Sequence, residues 1–360
     1  MTAEDQTSSP PPRPLRAAIV GLGMMGRHHA RLLQTSGVTS FAGAVDPGGD
    51  RFGAVGDPSL VFPTVSALLD ASVRGADALP ELAIVAVPTE EHVAAAVELA
   101  EAGVHVMIEK PLAETPERAR ELIAAIRAAG VHGAVGHVER CNPALLELRR
   151  RVQDDQIGRI IHVATERIGP FPSRIRDVGV VKDLATHDLD LVGWLGGSAV
   201  ETLAAQTQHR LGRPHEDLVN VVGRLDGGVT FTTMVDWLSP TKVRRTRVLG
   251  ERGMLVADTL TADLTFYANG EVSSEWDASR TLRGVSEGDM TRYALSRREP
   301  LLVELEAFCA LVRGDEHAGV VTLEEGLAAV ELADAVLRSA ATGETVRMSD
   351  EVPAHDGSVR

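Results

Sequence analysis

Aromatic residues make up only 3% of this 360-residue chain, so any core must be packed from Val, Leu, Ile and Ala. Cysteine is almost missing: Cys141 and Cys309 are the only two, and neither stands at a metal-type spacing. Two cysteines cannot build a disulfide framework in a chain this long, which points to a reducing, cytoplasmic setting without a metal site. Positive charge is in deficit, with a formal net charge of -15. An acidic surface repels nucleic acid and anionic lipid, so neither is an expected partner, and an anionic ligand would need a local basic cluster. No apolar run approaches the roughly 20 residues of a membrane span. Residues 1–14 are polar, with Pro10, Pro11 and Pro12 consecutive, and lack the apolar centre of a signal peptide. They read as a disordered tail, and residues 348–360 as a second loose one.

What is present is a globular balance, 44% hydrophobic and 24% charged, over enough chain for two domains. Residues 15–136 alternate strand and helix. Continuous apolar runs at residues 16–20, 41–45, 82–87, 104–108 and 131–135 are separated by helical spacing at 24–34, 65–69, 90–102 and 116–129. Such runs suit a parallel sheet covered on both faces, an α/β Rossmann domain. From 137 to 347 the pattern changes to an α+β domain. A helix over 142–152 serves as hinge, and 159–168 alternates polar and apolar residues. A helix near 183–195 is followed by strands at 218–225, 229–237, 243–249, 254–257 and 264–268, with Asp226-Gly227-Gly228 as a turn signal. This predicts a large, open, mainly antiparallel sheet. Residues 270–300 are polar and poorly patterned, and helices at 302–312 and 323–341 close the fold. The open sheet face suggests a homo-oligomer, to be seen by light scattering as a mass above 38.3 kDa.

The first run, Ala17-Ala18-Ile19-Val20, leads directly into Gly21-Leu22-Gly23-Met24-Met25-Gly26. Glycines also make ordinary tight turns, but between a strand and a helix this GxGxxG is placed for a dinucleotide. Gly21 makes the turn, Gly23 admits a pyrophosphate, and Gly26 lets helix and strand pack. The backbone of Gly23, Met24 and Met25 opens the helix and would donate to the phosphates. Asp46 follows the second strand, twenty positions after Gly26. A carboxylate there accepts from the adenosine ribose and repels a 2′-phosphate, which favours NAD over NADP. Asp46 is equally a turn residue before Pro47-Gly48-Gly49, and the two roles can coexist.

Two later strands end in chemistry. Leu82–Val87 runs into Pro88, Thr89 and then His92, and Val104–Ile108 runs into Glu109-Lys110-Pro111. A lysine at the carboxyl end of a parallel strand points into the ligand crevice of such a sheet, and Pro111 stiffens its placement. A second set is Asp183-Leu184-Ala185-Thr186-His187, where Asp183 and His187 stand at i and i+4 of the expected helix. Leu184, Leu191 and Trp194 mark its buried face. Histidine beside a carboxylate is a suitable proton acceptor near neutral pH.

A Rossmann start with a strand ending in Glu109-Lys110-Pro111 resembles the glucose-fructose oxidoreductase, inositol dehydrogenase and rhizopine catabolism (Gfo/Idh/MocA) family, over nearly the whole chain. The resemblance implies NAD as cofactor and a catalytic set of Lys110, Asp183 and His187. It places Pro88, Thr89, His92, Glu109 and Lys110 near the nicotinamide. Gly136–Pro143, with His137 facing substrate, is similar to the segment joining the two domains in one branch. Residues 167–180 likewise look like the UDP-N-acetylglucosamine 3-dehydrogenases, which oxidise a C3 hydroxyl. Cys141 departs from that branch's usual aromatic. Within residues 167–180, Arg174 and Arg176 would point the same way if extended, and paired guanidinium groups suit a diphosphate. Lys110, Arg174, Arg176, His137 and His187 are the expected substrate contacts. A UDP-glucose 3-dehydrogenase or a free polyol or inositol dehydrogenase would use the same catalytic set. A non-catalytic dinucleotide-binding regulator would not need it. Either His187 or Lys110 could be the base.

Overall fold

Leu82, Ala83, Ile84 and Val85 have no exposed surface at all, the condition of a strand covered on both faces. The computed structural model describes residues 12–74, 79–172, 178–270 and 287–348. The chain divides into two units, the first running to Lys110 and adding Arg118–Gly136 and Leu301–Leu323, the second taking the remainder.

In the first unit β1 (Leu15–Val20), α1 (Met24–Thr35), β2 (Thr39–Val45), β3 (Val61–Phe62), α2 (Val65–Arg74) and β4 (Leu82–Val85) are followed by α3 (His92–Glu101), β5 (His105–Glu109), α4 (Pro116–Ala129) and β6 (Gly133–Gly136). The sheet order is β3-β2-β1-β4-β5-β6, every pair parallel. The order turns back at β1 and β4, so their carboxyl ends form the switch point at which such sheets take ligands. Each buried Leu, Ile or Val side chain in this sheet contributes about 1.5–3 kcal/mol by leaving water.

The second unit holds α5 (Pro143–Gln153), β7 (Ile160–Pro170), α6 (Thr186–Gly196), β8 (Val200–Gln208), β9 (Leu218–Leu225), β10 (Thr230–Asp236), β11 (Leu238–Gly250), β12 (Gly253–Asp258), β13 (Asp263–Asn269) and β14 (Glu287–Tyr293). After α7 (Pro300–Val312) come α8 (Leu323–Thr342) and β15 (Val346–Arg347). Nine strands form one sheet, β14-β13-β12-β11-β7-β10-β9-β8-β15. Its pairs are antiparallel except β7 with β10, which run parallel. Leu189, Val192 and Leu195 of α6 and Ala335 and Val336 of α8 share one core with Val163, Val221, Phe231 and Val248 of the sheet. Alternate residues such as Val222, Met234 and Leu249 are exposed on the opposite face. The Asp226-Gly227-Gly228 signal is the β9–β10 hairpin, with φ +85° and +93° at its two glycines.

Two expectations are corrected, and two strands join the second sheet. Helix α7 belongs with the first unit, not the second: Leu305, Phe308 and Cys309 are buried in the core that contains Ile19, Leu33 and Ile84. The strands β8 and β14 were not legible as such, and both extend the second sheet. The segment expected to start a regular helix at Asp183 is instead a π-helical turn over Val181–Ala185, after which α6 begins.

Candidate functional site

In the first unit the glycine loop is set by contacts that leave no room for side chains. Gly21 has φ +94°, and a Cβ there would lie 2.5 Å from the Ala86 carbonyl oxygen. A Cβ on Gly26 would lie 1.8 Å from the Gly21 carbonyl oxygen, so α1 could not approach β1 with any larger residue. Gly23 differs: it is exposed, and a Cβ would meet nothing within 4 Å. It also caps α1 without a side-chain hydrogen bond, and the first turn carries no acidic residue. The amides of that turn are thus an anion site beside open space, which fits a dinucleotide pyrophosphate.

The Asp46 carboxylate closes the loop. Its Oδ2 accepts from the Leu22 N–H at 2.9 Å and its Oδ1 from the Gly48 N–H at 2.7 Å. The turn role and the loop-bracing role therefore coexist, and the half-buried carboxylate keeps lone pairs for a ribose hydroxyl. Pro88 is exposed and Thr89 half-buried after β4, whereas His92 is buried at the start of α3 with Nε2 3.1 Å from the Val87 carbonyl. His92 thus braces the β4 exit with its ring turned to the backbone. Glu109 is also buried: its Oε1 pairs with His29 Nε2 at 2.7 Å, and its Oε2 accepts the Lys110 N–H at 3.3 Å. Burial pushes the Glu109 carboxyl up, but His29 and Lys110 outweigh it and hold the group below the usual carboxylate range. Lys110 itself is half-buried at the end of β5.

In the second unit His187 sits in the first turn of α6, half-buried rather than fully so, and Asp183 is half-buried in the π turn before it. Leu191 is buried and Leu184 and Trp194 are partly buried, which matches the expected apolar stripe. The π turn is a common device for re-aiming side chains at functional sites. The His187 ring lies edge-on to that of His137, centroids 6.3 Å apart. His137 is buried, with Nδ1 3.8 Å from Asp190 Oδ2. Arg174 and Arg176 lie outside the described residues.

The charged frame around this pair was not foreseen. Asp190 accepts two bonds from Arg140, at 2.8 and 2.5 Å, and Arg140 continues to Glu325 at 2.6 Å. Arg167 binds Asp188 at 2.5 Å and Glu139 at 2.8 Å. Asp188 and Asp190 follow His187 within three positions, so two buried arginines fix the helix that carries it. Burial opposes the Arg167 charge, but its two carboxylates more than compensate and raise it. Glu139, pushed up by burial, is pulled below its ordinary range by Arg167, whereas burial wins at Asp188 and raises it. One guanidinium shared by two carboxylates gives that split.

Comparison with known proteins matches a large part of each unit. Residues 15–137 match the oxidoreductase family with the NAD-binding Rossmann fold (GFO_IDH_MocA), and residues 145–256 match the GFO/IDH/MocA C-terminal domain. A UDP-N-acetylglucosamine 3-dehydrogenase of Acidithiobacillus ferrooxidans is 28% identical over 296 residues, covering 82% of this chain and 87% of that one. A myo-inositol dehydrogenase of Streptomyces leeuwenhoekii is 31% identical over 257 residues, covering 67% and 76%. The solved structure of the Acidithiobacillus enzyme has a TM-score of 0.75 at 25% identity, covering 90% of this chain and 97% of that chain. With both halves matched and the glycine loop shaped for a dinucleotide, this chain belongs to the Gfo/Idh/MocA family of NAD-binding oxidoreductases.

Proposed function

We propose that the protein oxidises a secondary hydroxyl of a nucleotide-linked hexose to a ketone, with C3 of UDP-N-acetylglucosamine as the leading candidate. What carries this reading is the alignment with the Acidithiobacillus enzyme across more than four-fifths of both chains, at 82% and 87%. When bound, NAD accepts the hydride released by the alcohol carbon. His187 takes the hydroxyl proton. Lys110 hydrogen-bonds the same oxygen and stabilises the negative charge that develops on it. Asp183 orients the set, His137 contacts the sugar beside His187, and Arg174 and Arg176 clamp the diphosphate. The Gly23, Met24 and Met25 backbone holds the pyrophosphate of NAD, Asp46 its ribose, and Pro88 and Thr89 border its nicotinamide.

The Streptomyces relative supports a second reading, in which the substrate is an inositol. A panel of UDP-N-acetylglucosamine, UDP-glucose, myo-inositol and glucose, followed as NADH absorbance, separates the two. Turnover with the UDP-sugars and none with free polyols is expected. Preference for inositol would overturn the nucleotide-sugar assignment, and silence across the panel with NAD still bound would favour a regulator.

Cofactor choice gives a separate check. Asp46→Ala is expected to weaken NAD binding about 10- to 100-fold, the worth of a charge-assisted hydrogen bond, and to narrow its advantage over NADP. Asp46→Asn keeps an acceptor for the Leu22 amide, so it should fold like wild type and still lose discrimination against the 2′-phosphate. Titration of both dinucleotides by calorimetry reads this out, and unchanged affinities in both variants would remove Asp46 from the ribose site.

A further inference from the structure

Beneath the Lys110 turn the first unit buries three titratable groups that the proposed reaction does not use. His29 of α1 is 1% exposed, Glu109 of β5 is 7% and Glu304 of α7 is 6%. They come from three distant parts of the chain, one of them the helix that returns after residue 300. Burying an ionised carboxylate costs several kcal/mol unless it is paired, so such a cluster persists only where its geometry is held closely. Here it is held. His29 Nε2 stands 2.7 Å from Glu109 Oε1, and the other Glu109 oxygen accepts the backbone N–H of Lys110. The neighbouring strand makes room: a Cβ on Gly136 would lie 3.3 Å from both Cδ and Oε2 of Glu109. His29 is one turn beyond Gly26, so the same contact ties the dinucleotide helix to the end of β5.

We infer that Glu109 is a positioning residue for Lys110, gripped by His29, so that turnover depends on a buried histidine that touches neither substrate nor cofactor. The inference rests on the catalytic role given to Lys110 above. Glu109 uses one oxygen to fix the turn and the other to bind the helix, which leaves Lys110 a single backbone geometry. Burial raises the Glu304 carboxyl well above the ordinary value, and the Glu109 charge raises it further.

His29→Ala is expected to lower kcat about 10- to 100-fold, the effect of a small misplacement of a reacting group, with NAD affinity within about twofold of wild type. His29→Gln retains a donor and should recover most of the loss. Independently of turnover, hydrogen exchange of the Lys110 amide in the cofactor-free protein should be faster in His29→Ala. Wild-type kcat in His29→Ala, or no rescue by Gln, would each overturn the inference. If His29→Ala does not fold, Glu109→Gln decides it by the same two readouts, and wild-type kcat with wild-type exchange of the Lys110 amide would overturn it. Full turnover in Lys110→Ala would instead remove the catalytic reading itself. A dead Lys110→Ala beside a fully active His29→Ala removes only the positioning role.

Discussion

Replacing Lys110 or His187 by alanine is expected to abolish most NADH formation while leaving a folded, NAD-binding protein. Loss of a hydrogen bond to the developing oxyanion costs about 10²–10³ in kcat. Loss of a general base costs about 10²–10⁴. Both residues are only half-buried, so truncation opens no large cavity in either core, and the melting temperature should stay near wild type. If the two act on one hydroxyl, their effects cannot multiply: the double variant should be little worse than the poorer single one, as for residues that work as a unit. Steady-state kinetics on the four proteins, with NAD affinity measured separately, provides the check. Near-wild-type turnover in both single variants would refute the assignment, and strictly multiplicative losses would mean that they serve separate steps. Asp183→Asn should give a smaller loss, because Asp183 is assigned to orientation and not to bond making.

The first unit could be read from sequence because its physics is local. A strand covered on both faces must be continuously apolar, as Leu82–Val85 is, and a helix cannot meet a strand at Gly26 unless that residue lacks a Cβ. Lys110 could be singled out for the same reason, as the first residue past a buried strand. The second unit hid more. Strand β8 (Val200–Gln208) is rich in Ala, Gln and Glu, poor strand formers, and is held by pairing with β9 and by the Ser339 hydroxyl, which accepts the Ala205 N–H. Strand β14 is a polar strand at the sheet edge, paired among the described residues with β13 alone, so it lacks the alternation that would reveal it. The π turn at Val181–Ala185 leaves no mark in a pattern search tuned to 3.6 residues. The buried ion pairs were the least legible. Arg140 meets Asp190 fifty positions away and Arg167 meets Asp188 at twenty-one, and no local rule connects them.

That hidden frame predicts the largest change in stability. Arg167→Met removes the guanidinium that ion-pairs with both Asp188 and Glu139, at a point where the Arg167 and Asp188 side chains are buried. Asp188 would lose its ion-pair partner inside the protein, and breaking a buried pair from one side costs about 3–5 kcal/mol. Removing the charges together is different: Arg167→Met with Asp188→Leu and Glu139→Leu leaves neither carboxylate stranded and should regain most of the loss. Equilibrium urea unfolding of the single and triple variants distinguishes these outcomes. An Arg167→Met protein as stable as wild type would show that the frame is not what anchors α6. The same site sets an acid limit. Glu139 has a depressed value in the folded protein, so its contribution is present above its unfolded value and disappears as pH falls through the folded one. Asp188 has a raised value and runs oppositely: its carboxyl favours the fold at low pH and opposes it as pH rises through the elevated value. Glu139→Gln should therefore flatten the acid side of the stability profile and Asp188→Asn the less acidic side. Because His187 lies between Asp188 and the turn that holds Asp183, a loosened frame should lower kcat before it unfolds the domain.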